Sequence, residues 1–371
     1  MDFEIIEITH VPVIILYKDS MNIKERLLFI DGYKGLLCIT VFLFHYFSTF
    51  SFLFGQNIDN LIKDTPFFIL IDGVWAVRAF VLLSAFSISL SLSSGRDVPS
   101  LVVKRYFRLA YPVGGAIIIA FVIQPFYHVM EVSSLTGNTW IETFDADYSL
   151  TNLVKNLLLC VPVGYNKYSS VSWMIQYLFW GAFLVVVLHE AISTMALKKK
   201  VIFLLFFIFI TFKISELYSL VIMGMLLEQT KYYLFRNRGL LYELFYFLII
   251  IVSFFIYYRL SLGVGSFISS TFIIISVLSS KYLRQLLSMK LFQLLGKYSF
   301  EIYLMHCPII FSLSSYLYIT NSFGCNNHIM LFIITTLAVF VSAFIYKEII
   351  ERKILDVFVV KTSNFFLKYR K

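Results

Sequence analysis

Residues 31–50 read Asp31-Gly32-Tyr33-Lys34-Gly35, then Leu36-Leu37-Cys38-Ile39-Thr40-Val41-Phe42-Leu43-Phe44, then His45-Tyr46-Phe47-Ser48-Thr49-Phe50. From Gly35 to Phe54 no side chain carries a permanent charge, and a run of about 20 apolar residues is the length of a helix that crosses a bilayer. The rest of the chain repeats that pattern. Of its 371 residues 59% are hydrophobic and only 14% are charged, with a mean hydropathy of +0.82. A soluble domain carries about 25% charged residues, so this apolar excess cannot be hidden from water in one core. The composition excludes disorder and a disulfide scaffold, and it predicts a polytopic, all-α membrane protein. The 40 Phe and 24 Tyr suit lipid-facing surfaces and aromatic interfacial belts.

Ten apolar segments read as spans, at about 35–54, 67–92, 112–128, 172–195, 201–217, 218–230, 240–258, 261–280, 298–319 and 329–350. The sixth is short. Most of the 31 basic residues fall in alternate connections: Lys24, Arg26 and Lys34; Arg96, Lys104, Arg105 and Arg108; Lys198 to Lys200; Lys231, Arg236 and Arg238; Lys281, Arg284, Lys290 and Lys297; and the tail from Lys347 to Lys371. By the positive-inside rule these connections face the cytoplasm, as do both termini. That distribution accounts for the net charge of +9 without a nucleic-acid partner. Three regions follow: residues 1–20 as an N-terminal extension, 21–355 as the membrane domain and 356–371 as a basic cytoplasmic tail. Residues 1–20 lack the basic leader and cleavage site of a signal peptide. Segment 129–171 is acidic, with Glu131, Glu142, Asp145 and Asp147, and is expected outside; its apolar part, Leu150 to Pro162, suits the interface or a re-entrant position.

Ionisable side chains at membrane depth are costly and mark candidate sites. Eleven residues separate Lys34 from His45; on a helix they turn roughly 1,100°, about 20° beyond three circles, and rise roughly 16 Å. The two thus share a face, a cation at the rim and an imidazole within the bilayer. An inert alternative is a histidine that only bonds a neighbouring helix. Arg78, midway along the second span, needs a carboxylate, phosphate, carbonyl or water, in a structural ion pair or at a reacting centre. Arg105 and Arg108, three residues apart, project together from a short helix and suit either phosphate binding or anchoring to anionic lipid. Glu301 and His306 lie about 140° apart on a helix and make no acid–base pair. Cys38, Cys160, Cys307 and Cys325 show neither CxxC pairing nor metal-ligand spacing, so no metal is expected.

Four blocks carry a resemblance to the integral-membrane acyltransferase-3 family. Asp31 to Gly35 followed by His45 resembles its Asp-Gly-x-Arg-Gly opening and later histidine. Ala79-Phe80-Val81-Leu82-Leu83-Ser84-Ala85-Phe86 resembles its Phe-Phe-x-x-Ser-Gly-Phe block. Arg105-Tyr106-Phe107-Arg108-Leu109 with Pro112 is similar to its Arg-x-x-Arg-Leu-x-Pro segment, and Leu295-Gly296-Lys297-Tyr298-Ser299-Phe300-Glu301-Ile302-Tyr303-Leu304-Met305-His306 to its Leu-Gly-x-x-Ser-Tyr-x-Ile-Tyr-Leu-x-His signature. The departures are Lys34 for Arg, Ala85 for Gly, and Ala76 and Arg78 at two further positions. A Trp-Ser-Leu-x-x-Glu block survives only as Trp173-Met174-Ile175-Gln176-Tyr177, without its carboxylate.

The resemblance implies transfer of an acyl group, commonly acetyl, from acetyl-CoA or another acyl-CoA to a hydroxyl of a glycan or lipid-linked glycan beyond the membrane, in the bacterial inner membrane. His45 would act as general base or as a transient acyl carrier. Lys34, Arg105 and Arg108 would hold CoA phosphates, and Arg78 or Ser84 would stabilise the oxyanion. Asp31, Trp173, Gln176, Tyr303 and His306 are further candidates for the cavity wall. A transporter or flippase of a lipid-linked glycan would also use many spans and a buried Arg, but the internal repeat of such folds is not found in the sequence. A glycan polymerase or ligase usually carries arginines in large external loops, and segment 129–171 has none.

Overall fold

A computed structural model describes residues 23–53, 56–58, 62–95, 97–145, 148–165, 167–168, 172–236, 239–260, 262–320 and 328–368. The extension 1–20 and Arg96, Asp147, Arg238, Cys325, Arg370 and Lys371 lie outside them. Helices follow in the order α1 (Ile23–Phe50), α2 (Gly73–Ser93), α3 (Val98–Ile123), α4 (Val129–Thr136), α5 (Leu150–Val163), α6 (Ile175–Ile192), α7 (Leu197–Ile214), α8 (Glu216–Gln229), α9 (Lys231–Leu234), α10 (Leu240–Arg259), α11 (Leu262–Ser279), α12 (Lys281–Leu287), α13 (Lys290–Ile309), α14 (Ser315–Ile319), α15 (His328–Ile345) and α16 (Asp356–Lys368). A two-residue antiparallel ladder pairs Phe52 with Asn57 and Leu53 with Gln56 after α1.

The membrane reading holds. Among the described residues seven helices are long and apolar enough to cross a bilayer, or eight if α11 and α12, bent by 91° at their junction, form one span. The ten apolar segments of the sequence fall mainly on helices, but seven or eight spans stand among the described residues against the ten expected. Helix α7 carries four lysines, and α8, with 14 residues, rises only about 21 Å. Most of α1, α2 and α13 is buried, whereas α10 and α15 keep largely exposed apolar surfaces, as helices bathed in lipid must.

Several boundaries differ from those expected: α1 and α13 begin earlier, at Ile23 and Lys290, the second segment is broken at Asp72, and α7 gives way to α8 at Ser215. The third span was placed at 112–128 after a short basic helix, yet α3 runs unbroken from Val98. The Asp97 side chain caps it by accepting from the Ser100 amide at 3.0 Å, with Pro99 in the first turn. Pro112 sits within the helix, where it removes one amide donor; its carbonyl accepts the Tyr346 hydroxyl. Segment 129–171 is likewise no plain loop. It folds into α4, a 3-10 turn at Thr139–Phe144 and α5, with α4 and α5 ended by Gly137 and Gly164 in the left-handed region, at φ +71° and +67°. The tail is also structured: α16 packs on α3 through Phe366 against Phe107 and Phe358 against Tyr111.

The broadest helix contact joins α1 to α13. A Cβ on Gly35 would stand 2.6 Å from the Gly296 amide nitrogen, and one on Gly296 would collide with the Asp31 carbonyl. Small residues thus bring the two backbones together, and two separate sequence blocks become one seam. Along it the Cys38 thiol donates to the Ser299 carbonyl at 2.9 Å. Helix α2 runs antiparallel to α1: Gly73 lies against Phe44, while Phe86 and Phe29 both meet Phe235.

Candidate active site

The α1–α13 seam carries His45 to His306. Their rings lie 5.2 Å apart between centroids and both residues are buried, at 8% and 0% exposure. His306 Nδ1 lies 3.0 Å from the Ile302 carbonyl, which can only accept, so this nitrogen carries the proton and Nε2 presents a lone pair in the neutral ring. His306 Nε2 and His45 Nδ1 are enclosed with no hydrogen-bond partner. Buried polar atoms normally find partners because leaving one unmet costs about 1–3 kcal/mol. Two ring nitrogens without a protein partner on neighbouring rings make this pair the candidate reacting centre.

Trp140 closes the site from above. Its ring stacks on His45 at 5.3 Å with an 18° interplanar angle and meets Phe311 and Phe144 edge-on. Asn138 sets its position, accepting from the Trp140 amide at 3.2 Å and donating to the Ser48 carbonyl on α1. Trp140 was not among the sequence candidates, because its segment was expected only to lie outside the membrane; a lone Trp after the Gly137-Asn138 turn pair was the available signal. Tyr303, buried on α13, meets His306 at 6.1 Å. Cys307 also reaches the pair: one ring nitrogen from each histidine and the Cys307 sulfur lie within 4.8 Å of one another. Sequence spacing held no hint of this cluster, because the fold assembles it from two distant helices.

The second constellation is basic. Arg105 Nη2 donates to the Ser84 hydroxyl at 2.6 Å, while its Nε is enclosed without a partner. Among the described residues no carboxylate pairs with Arg105, and its charged neighbour is Arg108, which is exposed. Buried Arg78 and half-buried Lys347 are, by contrast, each paired with a carboxylate. Arg78 pairs with Glu216 on α8 and donates to the Val74 carbonyl at 3.0 Å; Lys347 meets Glu301 at 2.6 Å. Lys34 is half-buried and paired with the exposed Asp31 at 3.2 Å. Ser84 lies eleven residues beyond Gly73, roughly 16 Å along α2 from the level of Phe44. Lys34 lies the same rise from His45 on the antiparallel α1. Arg105 and Lys34 therefore share a level about 16 Å from the imidazoles.

Not every candidate converges. Arg78 faces α8 and Ser84 faces Arg105. Trp173 and Gln176 stand where α5 meets α6, Trp173 against Tyr177 and Gln176 beside Gly164. The rings around His45 are Phe44, Trp140 and His306.

Comparison with known families decides the class: the profile of the Acyl_transf_3 family, described as an acyltransferase domain, matches residues 27–347. The chain belongs to the acyltransferase-3 family. The match spans every element from α1 to α15 and includes both His45 and His306. No curated protein and no solved structure matches the chain. This integral-membrane acyltransferase therefore requires an acyl donor.

Proposed function

We propose that this acyltransferase moves an acyl group, acetyl in the simplest case, from cytoplasmic acyl-CoA to a hydroxyl of a glycan presented on the opposite side of a bacterial inner membrane. The observation that carries the reading is Arg105, a guanidinium with an enclosed Nε, a second arginine beside it and no carboxylate. Arg105 is half-buried with its Nε enclosed, and an enclosed cation without a counter-ion is unfavourable, so the position suits a ligand that brings its own anion. CoA phosphates fit, with Arg108 and Lys34 at the same mouth and the basic connections on the cytoplasmic side. The donor's long thiol arm then extends roughly 16 Å toward His45.

At the histidine pair the acceptor hydroxyl needs a base, because alcohols are poor nucleophiles at neutral pH. In the proposed step His45 takes the hydroxyl proton as the oxygen attacks the thioester carbonyl. The tetrahedral intermediate collapses and expels the CoA thiolate, which takes the proton back from His45. His306 Nε2, held as an acceptor by the Nδ1 bond to Ile302, receives a hydrogen bond from protonated His45 and stabilises it. Trp140 excludes water from the thioester and offers its face to the acceptor sugar. Ser84 orients Arg105, and Arg78 with Glu216 ties α2 to α8; neither serves as the oxyanion donor in this scheme.

Mass spectrometry of surface glycans from cells with and without the protein tests the reading. The expected difference is one acyl unit per modified residue, and identical glycans in both would remove the glycan acceptor from the account.

A further inference from the structure

The cluster of His45, His306 and Cys307 has a chemistry that acyl transfer does not use. We infer that these three side chains form a binding site for one thiophilic divalent cation, zinc foremost, and that its occupation inhibits the enzyme. One nitrogen of each histidine and the Cys307 sulfur lie within 4.8 Å of one another, and all three residues are buried. The unpartnered nitrogens, His45 Nδ1 and His306 Nε2, are a second and independent sign of a missing ligand. The third is orientation. His306 gives its Nδ1 proton to the Ile302 carbonyl, the arrangement by which metal-binding histidines fix their tautomer and aim the other nitrogen at the ion.

The donor set selects the ion. Two imidazoles and a thiol favour zinc over magnesium or calcium, which take oxygen ligands. Three protein ligands leave a fourth tetrahedral position open. Zinc bonds of about 2.0–2.3 Å place ligand atoms roughly 3.3–3.8 Å apart in a tetrahedron, so the cluster must contract by about 1 Å. Helix α13 is suited to that adjustment: Pro308 follows Cys307 directly, and a π-helical turn spans Ile310–Ser314, an irregularity frequent at functional sites. On binding, the Cys307 thiol releases its proton and its sulfur takes the metal.

The inhibition rests on the proposed role of His45, whereas the binding does not. A nitrogen lone pair given to zinc cannot accept the acceptor's proton.

The test uses the purified full chain in detergent after chelation. Zinc is titrated and bound metal counted by elemental mass spectrometry, with cobalt as a probe for thiolate-to-metal absorption. The expected result is one equivalent bound with a cobalt–thiolate band, and affinity reduced at least about tenfold in Cys307→Ser and in His306→Ala. Metal-free enzyme should transfer acyl groups and lose that activity with zinc, while Cys307→Ser, the near-isosteric variant, should retain transfer at the same zinc concentration. Absence of stoichiometric binding, or binding unchanged in both variants, would overturn the site and leave the base assignment standing. Metal-free enzyme that is inactive until zinc is added would overturn both the inhibition and the assignment of His45 as base.

Discussion

His306 keeps its Nε2 unprotonated because its Nδ1 is committed to the Ile302 carbonyl at 3.0 Å, and the His45 ring lies 5.2 Å away between centroids. Protonation of His45 during transfer therefore creates a charged donor facing an oriented acceptor. Such a bond is worth about 1.5–3 kcal/mol, or roughly ten- to hundredfold in rate. His306→Ala should lower kcat by that factor with little change in KM for acyl-CoA, and His306→Gln, whose amide oxygen still accepts, should recover part of it. Single-turnover transfer from labelled acyl-CoA measures the effect; unchanged kcat in His306→Ala would reduce His306 to packing.

Among the described residues no carboxylate pairs with Arg105, so in the proposed scheme its loss should be felt by the donor. Replacement by Ala removes a charge-assisted contact worth about 1.5–3 kcal/mol, raising KM for acyl-CoA roughly ten- to hundredfold while KM for the acceptor holds. Arg105→Lys should rescue poorly, since an ammonium cannot reproduce the fork that meets both Ser84 and a phosphate. Steady-state kinetics with each substrate varied separately would expose an error, namely equal effects on the two.

Arg78 is the contrasting case, a buried cation with its partner Glu216 in place. Arg78→Ala strands that carboxylate and should cost about 3–5 kcal/mol of stability. The double change Arg78→Met with Glu216→Gln should restore most of it, with kcat per folded molecule unchanged throughout. Thermal unfolding in detergent alongside activity distinguishes this from an oxyanion role, in which the stable double variant would still be slow.

The membrane class was readable because bilayer thickness imposes a length on apolar runs, and His45 because an imidazole within such a run stands out. The α3 start at Val98 was obscured by its own chemistry: Lys104, Arg105 and Arg108 read as a connection, although the Asp97 cap and Pro99 mark a helix start. His306 was a cavity-wall candidate only through the family resemblance, and Trp140 and Cys307 joined the site through long-range packing that periodicity does not encode. The glycines did carry a signal. Gly35 and Gly296 sit in separate blocks, and only the α1–α13 crossing explains why both lack side chains.

That crossing can be tested directly. Gly35→Ala would place a methyl 2.6 Å from the Gly296 amide nitrogen, against backbone that cannot rotate away. Overpacking of this kind costs about 1–3 kcal/mol and would separate His45 from His306. A lowered unfolding midpoint together with slower transfer is expected in detergent; a neutral substitution would contradict the close seam.

Trp140→Ala should raise KM for the acceptor and increase hydrolysis of acyl-CoA, as water reaches the thioester, whereas Trp140→Phe should keep most of the stacking on His45. Release of free CoA without acceptor measures the leak; no increase would mean that Trp140 does not exclude water.

In the proposed scheme an imidazole buried between α1 and α13 performs the proton transfer. Full-length protein reconstituted in vesicles, with labelled acyl-CoA on one side and acceptor on the other, tests it through His45→Ala. The account predicts normal insertion, retained acyl-CoA binding and no labelled acceptor. Labelled acceptor formed by His45→Ala at the wild-type rate would contradict it.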